Sequence, residues 1–241
     1  HTNFAMEPKQ LYFDKPIRLA NIDGKSVYTV KILKEADLVG GINLEVKVTG
    51  SSSGGYTVNH FGNAIIKEAR LKVGGAIIDT HYSQWRQIYQ ELYDSTNTSH
   101  LNESDSTGGG RTIAYTSNSI FNINRRTNGD EVLYFDNSTS YSKTIHVPMR
   151  FWFNNSIGNV LPILALNNHE VLLELIFEDR TILDGSVTIS DIDIKAYGDY
   201  YYLDVEEKRK FSQSSHEYLI EQVTRIKTKT PSSSKSLTEL E

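Results

Sequence analysis

Any metal site or nucleophilic centre in this chain would have to be built from its seven histidines, its 30 acidic residues and its hydroxyls, because none of the 241 residues is a cysteine. No two histidines stand in the H-x-H or H-E-x-x-H spacing that turns a pair of imidazoles toward one metal ion. The nearest approach is His169-Glu170, where two adjacent residues at a strand start read more simply as a structural or exposed pair. Asp191 and Asp193, two residues apart, project from one face of a strand and are a candidate cation pair, although a solvated face is the plainer reading. The one G-x-S-x-G match, Gly50 to Gly54, falls in the Ser/Gly run GSSSGG, which reads as a flexible loop rather than a nucleophile elbow, and the chain has no P-loop or dinucleotide fingerprint. No catalytic residue, cofactor or metal is therefore expected.

The aromatic runs offer a second kind of chemistry. Phe151-Trp152-Phe153 and Tyr200-Tyr201-Tyr202 have the rings to stack on sugars or bases. Core packing accounts better for their inward members, and subunit contact for the outward ones, assigned here as Trp152 and Tyr201. Phe4 and Met6, in a segment with no sustained period, are further candidate contact residues. Four N-x-[ST] sequons stand at Asn97, Asn102, Asn137 and Asn154. These are candidate glycosylation sites, but a region rich in Ser, Thr and Asn generates such triplets by composition alone. The charge balance, 25 Lys+Arg against 30 Asp+Glu for a formal net of -5, argues against a phosphate-neutralising surface, so direct nucleic-acid binding is not expected.

Strands must position these groups. Tyr28, Val30 and Ile32 alternate with Thr29 and Lys31, and Ile42, Leu44, Val46 and Val48 alternate with Asn43, Glu45 and Lys47, with Gly40-Gly41 read as a turn between the two runs. Ala69, Leu71 and Val73 form a third stripe, ended by Gly74-Gly75 before Ala76-Ile77-Ile78. Val147, Met149, Phe151 and Phe153 form another, in which Pro148 marks an edge strand or a bulge. Val171, Leu173, Leu175 and Phe177 follow, then two strands near 186–190 and 192–203.

The period changes to three and four at Tyr82, Trp85, Ile88, Tyr89 and Leu92, which predicts a helix capped by Asp79 or Thr80, with that face packed over one end of the strands. A second short helix should start at a capping box between Asp204 and Glu207. Residues 94–141 read as a long polar surface loop with short strands near 121–124 and 132–135. About eight strands without βαβ alternation favour an all-β, antiparallel, eight-stranded jelly-roll sandwich with two short helices. A seven-stranded immunoglobulin-like sandwich fits less well, lacking its cysteines.

Several segments resemble the major capsid proteins of nucleocytoplasmic large DNA viruses. They are HTNFAMEP at 1–8, VGGAIIDTHYSQWRQIYQEL at 73–92, 146–153 with LPILALNNHEV at 161–171, and YYYLDVEEKRKFSQSSHEYLIEQV at 200–223. The resemblance implies two tandem jelly rolls, with HEYLIEQ at the passage between them, so this chain is expected to be the first half of a double jelly roll. The expected layout is an extended arm over 1–26, a jelly-roll domain over 27–212, and a junction and linker over 213–241 toward a second jelly roll. It further implies a homotrimeric, pseudo-hexagonal capsomer contacting neighbouring capsomers and minor capsid and penton proteins, near an internal membrane. Such a protein would sit in the virion capsid and be assembled in the host cytoplasm. A single jelly-roll vertex (penton) protein and a carbohydrate-binding jelly-roll module are the alternatives. No apolar run reaches the roughly 18 residues needed to span a bilayer, and the amino end lacks the order of a signal peptide, so the expectation is a soluble, intracellular product.

Overall fold

A computed structural model describes residues 4–52, 56–58, 61–93, 103–104, 112–113, 133–135, 141–166, 169–180, 187–214 and 217–226. Two four-stranded antiparallel sheets face each other. The first consists of β1 (Phe4–Leu11), β12 (Val187–Leu203), β3 (Leu38–Ser52) and β10 (Tyr141–Pro148), in that spatial order. The second consists of β2 (Val27–Ile32), β11 (Val171–Phe177), β5 (Ile66–Val73) and β6 (Ala76–Tyr82). Alternation sets the inward faces: Leu44, Val46 and Val48 of β3 and Val171, Leu173 and Leu175 of β11 are buried in one shared core. The remaining elements are short: β4 (Tyr56–Val58) pairs with β9 (Leu133–Phe135), and β7 (Glu103–Ser104) with β8 (Thr112–Ile113). Three α-helices are described, α1 (Phe61–Ile65), α2 (Ser83–Tyr93) and α3 (Val205–Gln213).

The expected number of core strands matches, but by two compensating differences. The strands anticipated near 186–190 and 192–203 are one, β12, with a bulge at Ser190 between Ile189 and Asp191. The extra residue shifts the parity, so the buried positions run Ile189, Ile192, Ile194 and the alternation breaks at the bulge. The missing strand is β1. Part of the segment expected to be an extended arm outside the jelly roll pairs residue by residue with β12, from Phe4 opposite Leu203 to Leu11 opposite Ala196. Its outer exposure, including Pro8, hid it: only Leu11 is buried, so there is no apolar alternation to read. An edge strand tolerates Pro8, which lacks the N–H.

Gly40-Gly41 lies inside β3 rather than between strands, where the register slips opposite Asp199. Gly74-Gly75 is a two-residue hairpin, with φ of 59° and 87° closing β5 onto β6 through Val73 opposite Ala76. Strand β10 is an edge strand ending at Pro148, as the proline required. The stripe does not continue as a strand: Phe151 is the N-cap of a 3-10 turn over Trp152–Asn154, closed by Asn154 Oδ1 accepting from the Phe151 N–H at 3.2 Å. Trp152 is buried beside Phe153, their rings edge-on at 5.3 Å, so its assignment as an outward contact residue is incorrect.

The long helix begins at Ser83, and Asp79 and Thr80 belong to β6 instead of capping it. Its expected inward face is only partly covered, since Ile88 and Leu92 are exposed while the polar neighbour Arg86 is buried. Arg86 donates to the Pro148 carbonyl at 3.2 Å, and burial, with the nearby charge of Arg150, pushes its guanidinium down to about 9. At α3, Asp204 caps by accepting from the Val205 N–H at 2.8 Å, while Glu207 pairs with Lys210 and forms no box. The linker expected beyond 226 and the strand near 121–124 lie outside the described residues.

Leu173 sits opposite Val30 on one side and Leu71 on the other, fully buried. Leu173→Ala is expected to lower the unfolding free energy by about 2–5 kcal/mol, as read from urea denaturation.

Candidate subunit-contact surface

The outer face of the first sheet becomes apolar where β1 begins and β12 ends. Phe4 and Met6 of β1 are more than half exposed, at 58% and 53%. Met6 stands opposite Tyr201 in the ladder, and the Phe4 and Tyr201 rings approach at 6.3 Å, tilted by 45°. Around them lies a groove of about 290 Å³ lined by Phe4, Leu38, Ile157, Tyr201, Phe211 and Tyr218, among others.

Two glycines of β3 make room for the side chains beside it. A Cβ on Gly40 would stand 2.8 Å from Tyr201 Cε2, and one on Gly41 2.5 Å from Asp199 Oδ2. The bare Gly40 lets the Tyr201 ring lie against the backbone of β3, and the bare Gly41 leaves room for the Asp199 carboxylate. Burial raises the Tyr201 hydroxyl above the ordinary tyrosine range, with Asp199 adding to the effect, and raises the Asp199 carboxyl. The wall made by α3 is held by Asp37, a buried acid just before β3. Asp37 Oδ2 accepts from the Leu203 N–H at 2.8 Å and pairs with Lys208 Nζ at 3.1 Å, while the Asp37 N–H donates to the Tyr201 carbonyl at 3.1 Å. The opposite wall, the turn containing Ile157, is tied to β3 by reciprocal bonds between Val39 and Leu161 at 2.9 and 2.8 Å. Further apolar residues near this end, Ile157, Val205 and Leu219, are exposed. Clustered exposure of this kind, on a protein whose core is closed, makes this end of the sheet the candidate contact surface.

The other candidates do not converge. Glu170 pairs with Lys31, whose hydrogen bond holds its carboxyl below the usual range, while His169 lies beside the Gly74 turn. Asp191 and Asp193 are exposed, and Asp193 lies 3.4 Å from Lys195. Among the described residues no three His, Cys, Asp or Glu side chains are grouped to hold a metal ion. Of the sequons, Asn97, Asn102 and Asn137 lie outside the described residues. Asn154 is committed on both sides of its amide, with Nδ2 donating to the Gly40 carbonyl at 2.7 Å and Oδ1 holding Phe151. The groove residues Ile157, Phe211 and Tyr218 carried no signal that would bring them together: the first two are isolated apolar residues in a turn and a short helix, Tyr218 opens the short run Tyr218-Leu219-Ile220 in an irregular segment, and only the tertiary path assembles them.

The family model described as "Major capsid protein N-terminus" matches residues 1–204. The chain is 34% identical to the major capsid protein of Pyramimonas orientalis virus over 92% of its own length and 50% of that protein's. It is 28% identical to the major capsid protein of Paramecium bursaria Chlorella virus 1, covering 96% of this chain and 48% of the relative. Among solved structures, the PBCV-1 virus capsid matches with a TM-score of 0.68 and 27% identity, over 92% of this chain and 48% of that one. The Faustovirus major capsid protein, 12% identical with a TM-score of 0.54, shares the fold. The chain thus spans about half the length of these relatives.

Gly40→Ala is expected to displace the Tyr201 ring and cost about 1–3 kcal/mol in urea denaturation. Gly158→Ala, whose new Cβ would meet only Ser156 Oγ at 3.7 Å, should leave stability within about 0.5 kcal/mol. On expression in a glycosylating host, peptide mass spectrometry should find Asn154 unmodified, because a glycan on Nδ2 would displace its bond to Gly40.

Proposed function

The chain belongs to the major capsid protein family through its N-terminal part, and from that membership we propose that it is the first of two jelly rolls in the shell-forming subunit of an icosahedral large DNA virus. Three subunits join into a pseudo-hexagonal capsomer, and capsomers tile the virion shell. The observation that carries this reading is the exposed apolar end of the first sheet, where Phe4 and Tyr201 line a groove walled by α3 and Met6 is exposed beside them. A monomer would leave that area in water. A subunit interface removes it at roughly 25 cal/mol per Å² of apolar surface.

The chemistry is that of assembly rather than catalysis. Large rings and a methionine give contact area, and Asp37 with Lys208 keeps the wall rigid so that little ordering is required on association. The other outer surfaces meet neighbouring capsomers and the minor capsid and penton proteins, and the inner side faces an internal membrane in a particle assembled in the host cytoplasm. The carbohydrate-binding alternative loses its best stacking platform, because Phe151, Trp152 and Phe153 are all buried. A single jelly-roll vertex protein draws no support from relatives named as major capsid proteins and roughly twice as long.

Sedimentation of the protein extended to the length of its relatives should give a three-subunit mass. Met6→Asp and Phe4→Asp should shift it toward monomer at micromolar concentration without changing the far-ultraviolet circular dichroism. A monomeric native protein would overturn the reading, and a trimer indifferent to both substitutions would remove the contact assignment.

A further inference from the structure

Strand β6 is the edge of the second sheet, and its pairing with β5 slips between Leu71 and Lys72, so that Ile78 is an extra, bulged residue. A bulged residue is released from the ladder. Here its carbonyl points to the junction segment, accepting from Gln222 Nε2 at 2.5 Å. The next residue, Asp79, is buried at 3% exposure. Its Oδ1 accepts from the Thr80 N–H at 2.8 Å and from the Val223 N–H at 3.1 Å. Its Oδ2 is buried with no aligned hydrogen bond, though His81 Nε2 lies 2.9 Å away. His81 is itself buried, stacked on Phe151 at 4.6 Å. Farther along the same strand, the Arg225 guanidinium lies 4.8 Å from the centre of the Tyr82 ring.

From these contacts we propose that the bulged edge of β6, with Asp79 at its centre, is a docking site for the extended backbone of residues 222–225, and that Asp79 is the positioning residue that fixes the path by which the chain leaves this jelly roll. A buried carboxylate with one unaligned oxygen gains from every N–H it can collect, and Val223 supplies one of the two backbone donors it has. The strap has no ladder of its own, since 217–226 is in neither strand nor helix, so its hold on the fold rests on side-chain contacts. The backbone is anchored while Leu219 and Ile226, at 93% and 85% exposure, are held outward. Bulge, buried acid and cation–ring contact act on three successive parts of one short segment, which fixes direction as well as position. What the strap leads into rests on the function proposed above, but the docking itself does not.

Amide hydrogen exchange on this chain tests it. The Val223 amide should exchange at least roughly tenfold slower than that of exposed Leu219, and Asp79→Ala should remove that difference while β11 amides stay protected. Should Asp79→Ala fail to fold, Val223→Pro deletes the donor without touching the core and should speed tryptic cleavage after Arg225 by a similar factor. An unprotected Val223 amide in the native chain, or cleavage unchanged in Val223→Pro, would overturn the proposal, whatever sedimentation says about trimers.

Discussion

Strand β12 is hydrogen-bonded on both sides, to β1 along Phe4–Leu11 and to β3 from Val187 to Tyr201, and this double pairing is the constraint on which the rest of the molecule depends. It fixes which face each tyrosine takes: Tyr200 turns into the core while Tyr201 faces outward over Gly40. A slip of one residue would exchange them. Two irregularities adjust the register, at Ser190 and opposite Gly40-Gly41, and at the second the bare Gly40 lets the groove residue Tyr201 lie against β3. The strand then runs through Leu203 into Asp204 and α3, so the wall of the groove is a direct continuation of the sheet.

The exposed apolar surface is concentrated where this strand ends. Its support is polar and internal: Asp37 gathers the Leu203 N–H and Lys208 Nζ, and Lys9 bridges to Glu35 at 3.0 Å while lying 5.6 Å from the centre of the Tyr202 ring. Hydrogen bonds that the Lys9 ammonium donates to Tyr202 and Glu35 raise it above its ordinary range, an exposed contact that positions more than it stabilises. An apolar edge braced in this way suits the subunit association proposed above.

Much of this was legible in the sequence, wherever a strand buries one face. Ile42 to Val48 shows it by strict alternation and Val171 to Phe177 by an apolar stripe opposite a mixed face, and both belong to interior strands of their sheets. The edge strand β1 buries only Leu11 and so carries no pattern; its membership is decided by pairing, which leaves no mark on residue type. Trp152 was misplaced because alternation was carried past Pro148, where the chain turns into a 3-10 helix and drives Trp152 and Phe153 inward together. Of the candidate contact surface, Phe4, Met6 and Tyr201 could be named from the sequence as large side chains without a core role, whereas Ile157, Phe211 and Tyr218 come together only through tertiary structure. The role of Asp79 was hidden in the same way: it stood where a helix cap was expected, and only the bulge at Ile78 and the returning strap give it another partner.

Relatives about twice as long, matched through one half, make the capsomer the level at which this architecture is best judged. The most direct measurement is electron cryomicroscopy of the protein extended to that length. The account predicts trimers with a pseudo-hexagonal outline, two sandwiches per subunit, and density from another sandwich covering Phe4, Met6 and Tyr201. Single particles of one subunit, with that end of the sheet bare, would contradict it.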